Sequence, residues 1–380
     1  MKFPIVGILK LLEKEKNCVF LETAKQDQDN FLSYLFLRPK KIISTFQIDE
    51  IENCFAELDQ ALKQGHYVAG FLSYQAGFAF EQSLKYKERY DFPLLWFGVY
   101  QEPLIYNHRK DAFENHPGLG RELIEKITFA QETKLKNYSL EKIRPSISPP
   151  AYSKAIAKIK TLIAQGLTYQ VNYTFKLNFN FSGSPSKLYL NLRANQNVSY
   201  SALLKTEHFD ILSFSPELFF RKQGKRLCVR PMKGTAQRGR SLEEDQAKAG
   251  ELAGCLKNRS ENIMIVDLLR NDLGRISKPG SVRVPELFNV EKYQTLLQMT
   301  SEVESELRPI YSAFDILKNI FPSGSVTGAP KIKTMQIIRQ LEQGPRRIYT
   351  GSIGFFSNQH SGVFNVAIRT LLIDKRKGSG

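Results

Sequence analysis

Residues 321–338 read FPSGSVTGAPKIKTMQII, a Gly-rich loop that opens a helix. Pro330 stands at a first helical position, and Ile332, Met335, Ile338 and Leu341 recur at helical spacing. The stretch does not match a P-loop, because Lys331 follows Ala-Pro and no Ser or Thr comes next in the required place. Backbone N–H groups at such a helix start suit an anion such as a carboxylate, whereas a Gly-rich loop taken alone is more often a tight turn without a ligand.

Working outward, 348–355 (IYTGSIGF) and 364–372 (FNVAIRTLL) read as strands, with Arg369 inside the second. An Arg in an apolar strand calls for a bidentate carboxylate, from a ligand or from the protein. Residues 259–275, RSENIMIVDLLRNDLGR, read as a helix stopped at Gly274, in which Glu261 shares a face with Met264, Ile265 and Leu268. A carboxylate heading an apolar stripe needs a cation, Mg²⁺ or an Arg, unless it is an exposed first-turn Glu stabilised by the helix dipole. Residues 229–240, VRPMKGTAQRGR, place Lys233 directly after a strand with Arg230 and Arg238 close by. Burial and cationic neighbours lower a lysine pKa and make the amine a nucleophile, although strand-end position and nearby charge alone fit an ordinary surface lysine. In FSPELF, 214–219, Glu217 lies among aromatics and Pro, a setting that raises its pKa toward general-acid use.

The rest of the chain, 380 residues that are 42% hydrophobic and 24% charged, has ordinary globular composition. Short apolar strands are expected at 18–21, 42–46, 67–71, 94–100, 201–204, 211–214 and 227–230, with alternating residues over 169–181. Helices are expected at 48–63, 243–257 and from Tyr152 to Gly166. The polar stretch 107–150, with Pro145, Pro149 and Pro150, is the best linker candidate. The pattern implies an α+β chain with large antiparallel sheets and flanking helices, divided into a mixed α/β subdomain at 1–135 and a core at 136–380.

A formal charge of +16 suggests an acidic ligand. The basic residues are scattered in twos and threes beside acids, so neither nucleic-acid binding nor an RNA-stacking surface is expected. Cys18, Cys54, Cys228 and Cys255 are far apart without a CxxC, which suits a reducing cytosol and a cytoplasmic protein. No apolar stretch reaches membrane-spanning length, and the run 3–12 is interrupted by Lys10.

In order along the chain, YQVNYT from Tyr169, SPELF from Ser215, PMKGTAQRG from Pro231, SENIMIVDLLRNDLGR from Ser260, SGSVTGAPKIKTMQII from Ser323, YTGSIGF from Tyr349 and FNVAIRT from Phe364 resemble the chorismate-utilising enzymes. That family includes anthranilate, isochorismate and salicylate synthases and aminodeoxychorismate synthases. The resemblance runs from about Tyr152 to the end, and VFLET and GHYVAGFLSYQAGFAFE are similar to the compact N-terminal region of the component I forms. It implies the anthranilate synthase component I-like fold. Lys before Gly-Thr, here Lys233, marks the aminodeoxychorismate synthase branch, where the other branches usually carry Ala.

The resemblance further implies that Lys233 attacks C2 of chorismate while the C4 hydroxyl leaves with help from Glu217, and that ammonia then enters at C4 and displaces the lysine. It makes Glu261 a Mg²⁺ ligand and Thr235, Ser325, Tyr349, Arg369 and Gln298 substrate contacts. Ammonia is expected from a separate glutamine amidotransferase subunit. Gln298 in QMTS replaces the His common in the family, and Gln75 stands where Glu is more usual. Relatives continue past the Arg369 strand into a Gly-rich turn and a segment carrying a second Mg²⁺ ligand, whereas this chain stops at 375–380, so a fragment or truncated product is expected. The alternatives are an anthranilate or isochorismate/salicylate-type synthase, and a non-catalytic remnant or binding subunit.

Overall fold

The computed structural model describes residues 3–85, 88–114, 119–357 and 361–377, so the last three residues of the expected chain end lie outside the described residues. Two antiparallel sheets dominate. In one, seven strands lie in the order Thr370–Asp374, Phe209–Ser215, Tyr200–Lys205, Cys18–Glu22, Leu32–Leu37, Leu104–Asn107 and Ala112–Phe113. The other has ten: Met232–Gln237, Leu296–Glu306, Arg226–Arg230, Leu218–Gln223, Gly362–Val366, Ser352–Phe356, Tyr67–Leu72, Leu95–Tyr100 and Lys41–Thr45, with Arg283–Lys292 added beside Leu296–Glu306. Segments on both sides of residue 135 supply strands to both sheets.

The strands alternate as a two-sided burial requires. Val19, Ala69, Phe71, Trp96, Leu204 and Ile353 meet between the sheets. Phe20, Leu35, Leu203 and Leu212 point the other way, onto Ile8 and Leu9 of helix Ile5–Leu12, Leu123 and Ile127 of Leu119–Ala130, and Leu188 of Pro185–Asn195. Val68, Phe97, Phe220 and Phe364 pack beneath helices Ile51–Lys63, Leu256–Ile276 and Ala313–Ile320. The result is a four-layer α/β/β/α sandwich, the α+β architecture that the patterning implied. Phe220 is fully buried and stacks on Phe364 with ring centroids 5.0 Å apart. Phe220→Ala is therefore expected to cost about 3–5 kcal/mol, seen as a lower denaturant midpoint at unchanged slope.

Several local expectations shift. The polar stretch 107–150 is not a linker: it holds helix Leu119–Ala130, whose Leu123 and Ile127 enter the core, and strand Tyr138–Pro145, which pairs with Leu177–Gly183. The run 169–181 breaks into Gln170–Val171 and Leu177–Gly183. The Glu261 helix passes through Gly274 and ends at Ile276. Residues 364–372 are not one strand but the end of Gly362–Val366 in the ten-stranded sheet and the start of Thr370–Asp374 in the seven-stranded one. Arg369 sits in the crossover with φ +49°, outside any strand. The apolar pattern runs on because both strands are buried, and the change of sheet leaves no gap in it.

Candidate active site

A second crossover lies beside the first. Strand Phe209–Ser215 of one sheet turns at Pro216 and Glu217 into Leu218–Gln223 of the other. The two passages are tied together: the Val366 N–H donates to Glu217 O at 3.1 Å and the Phe214 N–H to Arg369 O at 3.1 Å. Ser215 Oγ donates to Val366 O at 2.6 Å and accepts from the Glu217 N–H at 3.1 Å. Glu217 is thus fixed at the seam between sheets, 3% exposed.

Its carboxyl is raised to about 7 by burial, against a hydrogen bond from Ser325, the charge of Lys233 and the Met232 N–H. Ser325 Oγ donates to Glu217 Oε1 at 2.5 Å. Ser325, expected as a substrate contact, is thus in direct contact with the expected acid. The 321–338 stretch does open a helix, Lys331–Leu341, and its loop is pinned to the Gln170–Val171 strand at Gly328. There φ is +141° and a Cβ would come within 1.9 Å of Gln170 O, so only glycine fits.

Lys233 lies on strand Met232–Gln237, at the edge of the ten-stranded sheet. Met232 pairs with Thr300 and Thr235 with Gln298, so two residues, Lys233 and Gly234, oppose Met299 alone. Gly234 supplies the left-handed turn of this bulge at φ +94°. A bulge re-aims the side chain it carries. Burial pushes the Lys233 amine below the ordinary lysine range, against the charges of Glu217 and Glu261, which pull it back up. Lys233, Glu217, Ser325 and Glu261 are therefore gathered into one group, although their segments are up to 108 residues apart. A partly desolvated amine beside a carboxyl that holds its proton near neutrality has the chemistry to pair a nucleophile with an acid.

Thr235 and Gln298 face each other across the sheet, with Thr235 Oγ1 donating to Gln298 Oε1 at 3.1 Å. Arg369 donates from Nη1 to Gln196 Oε1 at 2.8 Å. Among the described residues it forms no ion pair with a carboxylate, and burial presses its guanidinium below the ordinary range with only the Tyr293 phenol in opposition. A guanidinium cannot shed its proton, so this setting favours an incoming carboxylate. Tyr349 is half-buried, its phenol raised by burial against the nearby Arg346 charge. No hydrogen bond or ion pair joins Tyr349 or Arg369 to the Lys233 group among the described residues.

Two residues escaped the sequence reading. Arg346 is buried and donates to Val326 O at 2.8 Å, Thr350 Oγ1 at 3.2 Å and Asn172 O at 2.5 Å while pairing with Glu342, so it ties together three of the motif segments. Ser323 Oγ lies 2.9 Å from Ser325 Oγ. Neither stands out in sequence, because an Arg beside another Arg and a Ser in a Gly-rich loop both read as surface or turn residues.

Cys228, Glu302 and Glu304 form a group with metal-ligand spacing away from these residues. Both carboxylates already pair with Arg230 and Arg226, and burial pushes the Cys228 thiol up to about 12, so it keeps its proton. A thiol must lose its proton to ligate, and this group does not suit a metal.

A family model described as chorismate binding enzyme matches residues 16–379. The chain is 38% identical to aminodeoxychorismate synthase component 1 of Bacillus subtilis over 80% of its length and 68% of that protein. It is 32% identical to anthranilate synthase component 1 of Lactococcus lactis over 98% of its length and 90% of that protein. The crystal structure of anthranilate synthase component I from Streptococcus pneumoniae superposes with a TM-score of 0.77 at 23% identity, covering 93% of this chain and 86% of the other. Motif order, the four-layer fold and the family match agree: the chain belongs to the chorismate-binding enzymes.

Proposed function

We propose that the protein is component I of an aminodeoxychorismate synthase, converting chorismate and ammonia to 4-amino-4-deoxychorismate for para-aminobenzoate and folate synthesis. The observation that carries this reading is Lys233, a partly desolvated amine held among Glu217 and Glu261 on a glycine bulge. In the first step the Lys233 amine bonds to C2, both conjugated ring double bonds shift, and the C4–O bond breaks as Glu217 gives its proton to the departing hydroxyl, which leaves as water. In the second, ammonia bonds to C4, both double bonds shift back, and the lysine amine leaves C2. Arg369, Tyr349, Thr235 and Gln298 hold the substrate, Arg369 taking a carboxylate.

Mg²⁺ would neutralise a substrate carboxylate when bound. Glu261 suits it: a half-buried carboxylate beside Lys233, free of any Arg or Lys ion pair among the described residues, is the single hard oxygen donor that Mg²⁺ takes together with substrate and waters. Glu261→Gln is expected to raise the Mg²⁺ concentration for half-maximal activity by about tenfold or more, measured by metal titration at saturating chorismate.

The name component 1 carried by the Bacillus relative supports a separate subunit, and we infer a glutamine amidotransferase supplying ammonia. Four free cysteines favour a cytoplasmic setting. Among the described residues no helix is long and apolar enough to cross a membrane. The competing reading, anthranilate synthesis, rests on the long alignment with the Lactococcus protein, and Lys233 argues against it. The experiment is product analysis with chorismate, Mg²⁺ and ammonium. Formation of 4-amino-4-deoxychorismate is expected, and fluorescent anthranilate or salicylate would sink the reading.

A further inference from the structure

We propose that Ser323 is a positioning residue for Glu217, acting through Ser325 to fix the hydrogen bond on Oε1 and so the strength of the acid. Ser323 Oγ is 2.9 Å from Ser325 Oγ, which is 2.5 Å from Glu217 Oε1. All three side chains are buried, at 5%, 4% and 3% exposure. Each serine hydroxyl carries a single proton. With Glu217 ionised, the satisfied arrangement runs one way, Ser323 donating to Ser325 and Ser325 to the carboxylate. Were Ser325 to turn its proton back toward Ser323, an ionised oxygen would face a lone pair. Donation from Ser323 therefore selects the orientation that stabilises the charged form, and a buried pair of hydroxyls strengthens along its length.

The loop holds this pair in place. Thr327 Oγ1 donates to Ser323 O at 3.0 Å, and Arg346 anchors Val326 O at 2.8 Å. Among the described residues the charged group facing Glu217 is Lys233 on its edge strand; the Met232 N–H and Ser325 are the neutral donors. Among the described residues, Ser323 is thus the side chain that hydrogen-bonds Ser325 without touching the carboxyl itself.

The inference rests on the reading of Glu217 as an acid. Its test is a titration read without turnover, so that a failed product assay and a failed titration remain separate results. The full chain is labelled with ¹³C at the glutamate side-chain carboxyl, and the Glu217 resonance is assigned by its loss in Glu217→Gln. Removing a donor from a carboxylate disfavours its charged form, so the midpoint moves up. Ser325→Ala is expected to raise it by about one unit, the equivalent of one charge-assisted bond. Ser323→Ala is expected to raise it by about half a unit with Ser325 intact, and Ser323→Thr, which restores the hydroxyl, to return it to the wild-type position. An unchanged or lowered midpoint in Ser323→Ala overturns the proposal, and so does a Ser323→Thr variant that keeps the alanine value.

Discussion

Lys233→Ala is expected to lower the ammonia-dependent conversion of chorismate on the order of 10²–10³-fold, a barrier increase of about 3–4 kcal/mol, while the protein stays folded. The side chain lies at the edge of the ten-stranded sheet, on a bulge whose backbone turn belongs to Gly234, so truncating it removes chemistry rather than core. Measured by kcat and KM with purified chain, Mg²⁺ and ammonium, the loss should fall on kcat, because the amine acts in bond making and not in holding chorismate. Full activity in the alanine variant would remove the nucleophile from the mechanism. Arginine is not a substitute: it keeps the positive charge but cannot offer a neutral nitrogen near neutrality.

Glu217→Gln should cost about 10²–10⁴-fold, the usual range for a lost general acid, and change the pH profile as well. The productive pair holds a protonated Glu217 and a neutral Lys233, so the wild-type kcat/KM at constant free ammonia should be bell-shaped. Its limbs belong to the pair, not to either residue. Because burial raises the carboxyl to about 7, the acid limb should lie near that value, far above an ordinary carboxylate. Below that limb both groups carry protons and the amine cannot attack; above the second limb the carboxyl has no proton to give. In Glu217→Gln the limb near neutrality should vanish, leaving a low rate that climbs with pH as Lys233 loses its proton. A glutamine variant that keeps the wild-type limb would assign that ionisation elsewhere.

The candidate site was largely legible because its residues stand in short contiguous motifs. Lys233 before Gly-Thr, Glu217 in SPELF and Glu261 heading an apolar stripe are each visible within a few residues, and the structure brings these three together. Glu217 also behaves as its apolar setting predicted, since desolvation is the main cause of its raised pKa. What remained hidden is long-range. The partner of Arg369 is Gln196, 173 residues away, and nothing near Arg369 identifies it. Its crossover position was masked because two buried strands in different sheets share one unbroken apolar run. Helix Leu119–Ala130 was lost among charged neighbours, since Leu123 and Ile127 enter the core with Ile124 beside them while its other faces carry Arg121, Glu125 and Lys126. The charge of +16 pointed to an acidic ligand without placing it, and the proposed mechanism assigns that role to two cations, Lys233 and Arg369.

The central claim, that Lys233 forms a covalent bond to chorismate, is tested most directly by mass spectrometry of the protein incubated with chorismate and Mg²⁺ in the absence of ammonia. The account predicts a peptide containing Lys233 heavier by one chorismate less one water, lost again when ammonium is added and absent in Lys233→Ala. Turnover of chorismate to 4-amino-4-deoxychorismate with Lys233 unmodified under trapping conditions would contradict it.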